Sequence, residues 1–233
     1  MVLLKKNKPN CIIAARSNSK RLKNKNILKI NGKSLLEIVI KIAIKSRIFD
    51  KVIVSTDSKK IAKIAQHSGA EVPFLRTKKL SGDKISILPV LKNALLETDS
   101  KEKKVNFFLY STAILLKPND LKKAYQKFLR NNSNFLIAIK KFDSHPLRCL
   151  EITKNKNLRF KWPKYQNKQS QELKQFYHDG GYFFAFNSGY FLKNGFDEKK
   201  NSYYLLNQNA SVDINTREDF ELAKILYNQY TIV

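Results

Sequence analysis

Four short apolar runs recur along the chain, NCIIAAR (10–16), KVIVST (51–56), VNFFLYST (105–112) and NFLIAIK (134–140), and between them the pattern switches to helical period. Runs of that length with almost no polar alternation read as strands covered on both faces. The segments between them carry helix signals of their own. SLLEIVIKIAIKS (34–46) places Leu35, Ile38, Val39 and Ile42 on one face behind Ser34 as N-cap. SKKIAKIAQHSGA (58–70) stops at Gly69, ISILPVLKNALLE (85–97) follows, and a further helix runs from Pro118 to Arg130 with proline at its start. EVPFL (71–75) is expected as one more short strand, and Asn31-Gly32 as a turn. Such alternation predicts an α/β fold: one Rossmann-like domain whose mostly parallel sheet carries helices on both faces.

Beyond residue 140 the texture changes. Residues 141–176 are polar and irregular, except that LEITKNKNLRF (150–160) reads as a hairpin turning at Asn155 to Asn157. GYFFAFN (181–187) returns as an apolar strand, and TREDFELAKILYNQY (216–230) reads as an amphipathic helix with a Thr216–Asp219 capping pair. No internal repeat or flexible linker interrupts the chain, and 233 residues at 42% hydrophobic suffice for one sizeable core, so residues 1–233 read as one domain. Long irregular stretches in compact domains usually carry function, and for 141–176 a substrate lid and a dimer contact are both open.

Charge and rare residues narrow the function classes. Lys and Arg number 45 against 19 Asp and Glu, a net charge of +26. A nucleic acid could exploit such charge through counterion release. However, the lysines spread over nearly every segment beside many Asn and Ile, as a genome-wide compositional bias would leave them. No helix carries a single basic stripe and no strand an aromatic-basic signature, so nucleic acid is not expected as the main partner. The charge does suit an enzyme acting on anions, whose local concentration a positive field raises. MVLLKKNKPN has too short an apolar start for a signal sequence, and no run of about 18 apolar residues occurs, which predicts a cytoplasmic protein without membrane contact. Cys11 lies inside an apolar run and reads as a buried free thiol, while His67, His145 and His178 lack metal-cluster spacing, which argues against zinc.

Ligands of an open parallel sheet bind beyond the carboxyl ends of its strands, so the loop after the first strand is a natural phosphate site. AARSNSKRLKNKN (14–26) occupies that loop. Its small polar residues let backbone amides approach an anion, and Arg16, Lys20, Arg21 and Lys25 offer charge-assisted donors. It has neither Walker nor GxGxxG spacing. On residue types alone it reads equally as a phosphate cradle or as solvated basic surface. Asp213 to Asn215 likewise read, by themselves, as a turn before the last helix, and His178 as a satisfied histidine at a strand entrance. Asp57 either faces the site or caps a helix, and Trp162 and YFFAF (182–186) read as core or dimer packing.

CIIAARSNSKRLKNKNILKINGKSLLE (11–37), FDKVIVSTDSKKIAKIAQHSGAEVPFLR (49–76) and DINTREDF (213–220), in that order and spacing, resemble the sugar-acid cytidylyltransferases, which activate nine-carbon 2-keto acids as CMP-sugars. The resemblance runs from about residue 10 to residue 226, and YHDGGYFF (177–184) with LYSTA (109–113) is most similar to the pseudaminic acid branch. It implies a nucleotidyltransferase that moves CMP from CTP to the anomeric hydroxyl of pseudaminic acid, for surface-glycan or flagellin glycosylation. Legionaminic or N-acetylneuraminic acid is an alternative acceptor, and a nucleotide or sugar-acid binder without turnover is a further alternative. By the same resemblance Arg16, Lys20 and Lys25 line the triphosphate, Ala15 and Ser19 lie beside the nucleotide, and Asn26 helps read cytosine. Arg76 and the LSGD stretch (80–83) that contains Ser81 face base or ribose, Tyr110, His178 and Asp179 contact the sugar acid, and Asp213 with Asn215 holds magnesium. A homodimer through 141–176 is implied as well.

Three places depart from the family pattern. Ala14, Ser17 and Asn18 stand where proline and two glycines are usual, so the loop is expected to sit differently on the phosphates. Ile114 replaces a proline after STA, a change expected to alter the loop over the nucleotide. Asn215 replaces an aspartate; its amide oxygen can ligate magnesium but brings no negative charge, so weaker metal binding is expected.

Overall fold

The computed structural model describes residues 8–197, 199–207 and 212–231; the apolar start of the chain lies outside them. In chain order, β1 (Asn10–Ala14) leads through the basic loop and a hairpin, β2 (Lys29–Ile30) and β3 (Lys33–Ser34), into α1 (Leu35–Ser46). Next come β4 (Val52–Ser55), α2 (Lys59–His67), α3 (Ile87–Leu96), β5 (Val105–Tyr110), α4 (Pro118–Arg130) and β6 (Phe135–Lys141). The second part adds the hairpin β7 (Leu150–Ile152) and β8 (Leu158–Phe160), then β9 (Tyr177–Asn187), α5 (Ser188–Asn194), β10 (Asn201–Leu205) and α6 (Arg217–Thr231).

Local chemistry sets the element ends. Asn31 and Gly32 take φ of 49° and 80°, the left-handed pair that a two-residue hairpin needs. Ser34 and Glu37 form a reciprocal capping box at α1, and Gly69, at φ 94°, ends the turn after α2. Thr216 and Asp219 cap α6 as expected: Asp219 Oδ2 accepts from the amides of Asn215 and Thr216 at 2.8 Å each.

Among the described residues, six strands form one sheet in the order β10-β6-β9-β5-β1-β4. β1 pairs in parallel with β4 and β5, and β10 in parallel with β6; β9 alone runs antiparallel, between β5 and β6. Strand alternation divides the core by face. Cys11, Ile13, Phe107, Leu109 and Phe183 pack with α1, α2, α4 and α6, whereas Ile12, Phe108, Phe184 and Phe186 pack with α3 and α5. Helices therefore cover both faces. Cys11 is fully buried with a free thiol, whose pKa burial pushes up. No described helix is long and apolar enough to cross a membrane.

Some expectations need correction. EVPFL is not a strand: Glu71 makes an isolated bridge to Ile53 of β4 and Leu75 one to Thr56 just beyond it, and Pro73 removes a donor between them. α5 and β10 were not anticipated. YFFAF is core, but Trp162 is 38% exposed and lies outside it. Asp57 does not cap α2, a role that Ser58 fills.

Candidate active site

The carboxyl ends of β1, β4 and β5 point the same way, and the loop after β1, the segment from Arg76 into α3 and the end of β5 meet over one cavity of about 430 Å³. Arg16, Ser19, Lys20, Arg21, Lys25, Asn26, Arg76 and Tyr110 line it, so eight of the residues anticipated from sequence converge. Ala15 does not reach it: the residue is fully buried and its amide donates to Ser55 O at 3.0 Å, leaving Ala14 on the wall. Ser81 is also absent from the lining, because its hydroxyl accepts from Arg76 Nε at 3.1 Å and donates to Thr77 O.

The basic loop is shaped by specific partners. Asp57, just past the end of β4, accepts from Ser17 N at 2.8 Å and Ser17 Oγ at 2.7 Å, so Ser17 is clamped by its own amide and hydroxyl. Asn24 adopts φ 57° before the short turn Lys25–Ile27, a conformation asparagine tolerates better than most residues. Asn26 is buried and bridges two strand ends: Nδ2 donates to Arg16 O at 2.8 Å, and Oδ1 accepts from Ser111 Oγ at 2.6 Å. Lys25 reaches across to donate to Ile214 O at 2.8 Å, tying the loop to the segment before α6.

Five cationic side chains, Arg16, Lys20, Arg21, Lys25 and Arg76, share this cavity with one carboxylate, Asp83. Burial pushes the Lys25 ammonium below the usual lysine range, partly offset by Asp213, while Arg21 and Arg16 push it further down. Burial lowers Arg76 likewise, with Asp57 opposing. Five cations with a single carboxylate on the shared wall are stabilised by a ligand carrying several negative charges.

β9 carries His178 and Asp179. Because it runs antiparallel, its first residues lie at the same end of the sheet as the carboxyl ends of β5 and β6, with Asp179 opposite Ile139 and His178 opposite Lys140. His178 Nδ1 bonds the Asp179 carbonyl at 2.8 Å and its ring packs on Phe142. The Asp179 carboxyl is raised by desolvation and by the charge of Asp213, against a bond from Gly181 N. Desolvation, Asp179 and Asp213 together push the Tyr110 hydroxyl up to about 12. Tyr110 thus joins the cation-lined cavity to a carboxylate pair, and neither Asp179 nor Asp213 lines the cavity itself.

Asn215 Nδ2 donates to Asp213 Oδ2 at 2.7 Å. Among the described residues no group of three or more His, Cys, Asp or Glu converges as a complete metal cage. Asp213, whose charge reaches Asp179 and whose carboxylate is held by Asn215, nevertheless suits a hard divalent cation that takes its remaining oxygens from substrate phosphate and water. Sequence reasoning missed Ser86 and took Asp83, Ser111 and Thr112 only as parts of the LSGD (80–83) and LYSTA (109–113) stretches; all four are on the cavity wall. Ser86 sits at the N-cap of α3 without making a capping bond, and the usable signal was its place just before an apolar helical run.

The family model described as cytidylyltransferase matches residues 10–232. Two pseudaminic acid cytidylyltransferases of Campylobacter jejuni are 38% and 39% identical over 220 residues, covering 93% of this chain and 95% of theirs. A CMP-N,N'-diacetyllegionaminic acid synthase of the same species is 34% identical over 221 residues, 93% of each chain. Among solved structures, a CMP:2-keto-3-deoxy-manno-octonic acid synthetase complexed with CTP superposes with a TM-score of 0.72, covering 96% of this chain and 99% of that one. At 15% identity this likeness bears on the fold alone.

Proposed function

The chain belongs to the cytidylyltransferase family and is a nucleotidyltransferase, and from that premise we propose that it transfers CMP from CTP to the anomeric hydroxyl of pseudaminic acid, releasing pyrophosphate. The observation that carries the sugar is the 38–39% identity to two pseudaminic acid enzymes across 93% of the chain. In this reading the anomeric oxygen attacks the α-phosphorus as the bond to the β-phosphate oxygen breaks. The residues at hand suit that step. Arg16, Lys20 and Lys25 would neutralise the triphosphate and the departing pyrophosphate, without covalent chemistry. Arg76 and Asn26 would bound the base end, and Tyr110, His178 and Asp179 would face the sugar acid across the carboxyl ends of β5 and β6.

Magnesium is the proposed cofactor: Asp213, oriented by Asn215, would hold it, and when bound it would supply charge neutralisation at the α-phosphate. A homodimer is proposed as well, through the β7–β8 hairpin: Leu150, Ile152 and Leu158 are 54%, 74% and 69% exposed.

The test is pyrophosphate release with CTP and a panel of pseudaminic, legionaminic and N-acetylneuraminic acids, with UTP and ATP as controls. Release with CTP and pseudaminic acid is expected, and none with the other nucleotides. The relative at 34% identity favours legionaminic acid as the second reading, which release with that acid alone would establish. CTP binding without release from any acid would leave a nucleotide binder without turnover.

A further inference from the structure

Two of the cations on the cavity wall already have an anion. Arg16 Nη1 lies 2.9 Å from Asp83 Oδ1, and Lys20 Nζ lies 2.9 Å from Asp83 Oδ2. Arg16 and Lys20 belong to the loop after β1, whereas Asp83 lies between a short turn, Lys78–Leu80, and the start of α3. One carboxylate accepting from an arginine and a lysine, one oxygen to each, presents them with what two oxygens of a phosphate would present. Bonds from Lys20 and then the nearby charges hold the Asp83 carboxyl below its ordinary range, so it is an anion wherever a triphosphate is.

Asp83 is one-third exposed and lies outside any regular helix or strand, so little besides these two ion pairs fixes its side chain. Without it, Arg16 and Lys20 would face Arg21 and Lys25 across the same cavity with no counter-charge. We infer that Asp83 is a displaceable stand-in for nucleotide phosphate: it holds Arg16 and Lys20 converged in the free protein and yields them to an incoming triphosphate. This rests on the proposed CTP-binding role of the cavity and adds a mechanical link to it. The segment that carries Asp83 also contributes Leu80, Ile85, Ser86 and Ile87 to the wall. Release of Asp83 therefore frees a stretch of wall to settle against the ligand.

Calorimetric binding of CTP, and of inorganic triphosphate as a probe without a base, to the native protein, Asp83→Asn and Asp83→Glu tests this. Exposed ion pairs are individually weak, so Asp83→Asn is expected to bind both ligands about three- to tenfold more tightly, while Asp83→Glu stays with the native protein. In native protein, inorganic triphosphate alone should raise amide exchange over residues 78–86, and Asp83→Asn should show that raised exchange without ligand. If the native protein binds CTP and releases pyrophosphate but Asp83→Asn binds no tighter, or more weakly, the stand-in role is wrong and the functional reading survives. Failure of the native protein to bind either ligand overturns both.

Discussion

The Asn215 carboxamide gives Asp213 a neutral partner at 2.7 Å, while Asn215 N is tied to Asp219 at the start of α6. A second carboxylate at that position would face Asp213 across hydrogen-bond distance with no proton between them. Like charges so placed repel, and a divalent cation between them removes the repulsion. Asn215→Asp is therefore expected to lower the magnesium concentration for half-maximal rate, and to lower the melting temperature in chelator with recovery on adding magnesium. A melting curve that ignores magnesium, with an unchanged metal requirement, would show that Asn215 does not bear on the metal. Residue-level legibility followed chain direction. The basic loop was readable because it directly follows an apolar strand, whereas LSGD offered several polar residues with no way to rank them. Ser81 turned back onto Arg76 and Thr77, and Asp83 and Ser86 turned inward, a choice set by backbone geometry that composition does not encode.

At the scale of elements, β9 is the strand that carries His178 and Asp179, the residues proposed to face the sugar acid. Its apolar run was evident, but its direction was not, because parallel and antiparallel buried strands share one hydrophobic pattern. The glycine pair is the part of β9 that sequence marked without explaining. A Cβ on Gly180 would collide with Leu206 Cδ1 and lie 3.2 Å from Ala138 O. Gly181 has φ 68°, and a Cβ there would stand 3.2 Å from Asp213 Cγ. Left-handed backbone costs a residue with a side chain about 1–2 kcal/mol. For a chain of this size Gly181→Ala should lower the melting temperature by roughly 2–8 °C, since each kcal/mol shifts it by about 2–4 °C. The same substitution should displace Asp213 and raise the magnesium requirement. Loss of stability with no change in metal requirement would separate the backbone role of Gly181 from the carboxylate it touches. α5 and β10 escaped notice for a simpler reason: a seven-residue helix and an edge strand with Tyr203 half exposed bury too little to leave a clear period.

Across the whole molecule, the net charge of +26 favours anionic substrates but is spread too widely to define a surface, so the feature that speaks to assembly is apolar. In the β7–β8 hairpin Leu150 pairs with Phe160 and Ile152 with Leu158, which sets all four side chains on one face. The opposite face carries Glu151, ion-paired to Arg159 at 2.6 Å and Lys161 at 3.1 Å. A two-stranded hairpin is marginal in water without something against its apolar face, and this face is largely bare in the single chain. A second copy covering it would supply the missing contact, and the paired substitution Ile152→Lys with Leu158→Lys should convert a dimer, seen by light scattering, into a monomer. The sequence left lid and dimer contact equally open because an exposed apolar hairpin serves either, and the same experiment separates them. If the native protein is already a monomer and the paired substitution raises only the KM for the sugar acid, the hairpin closes over substrate within one chain, and the dimer reading falls.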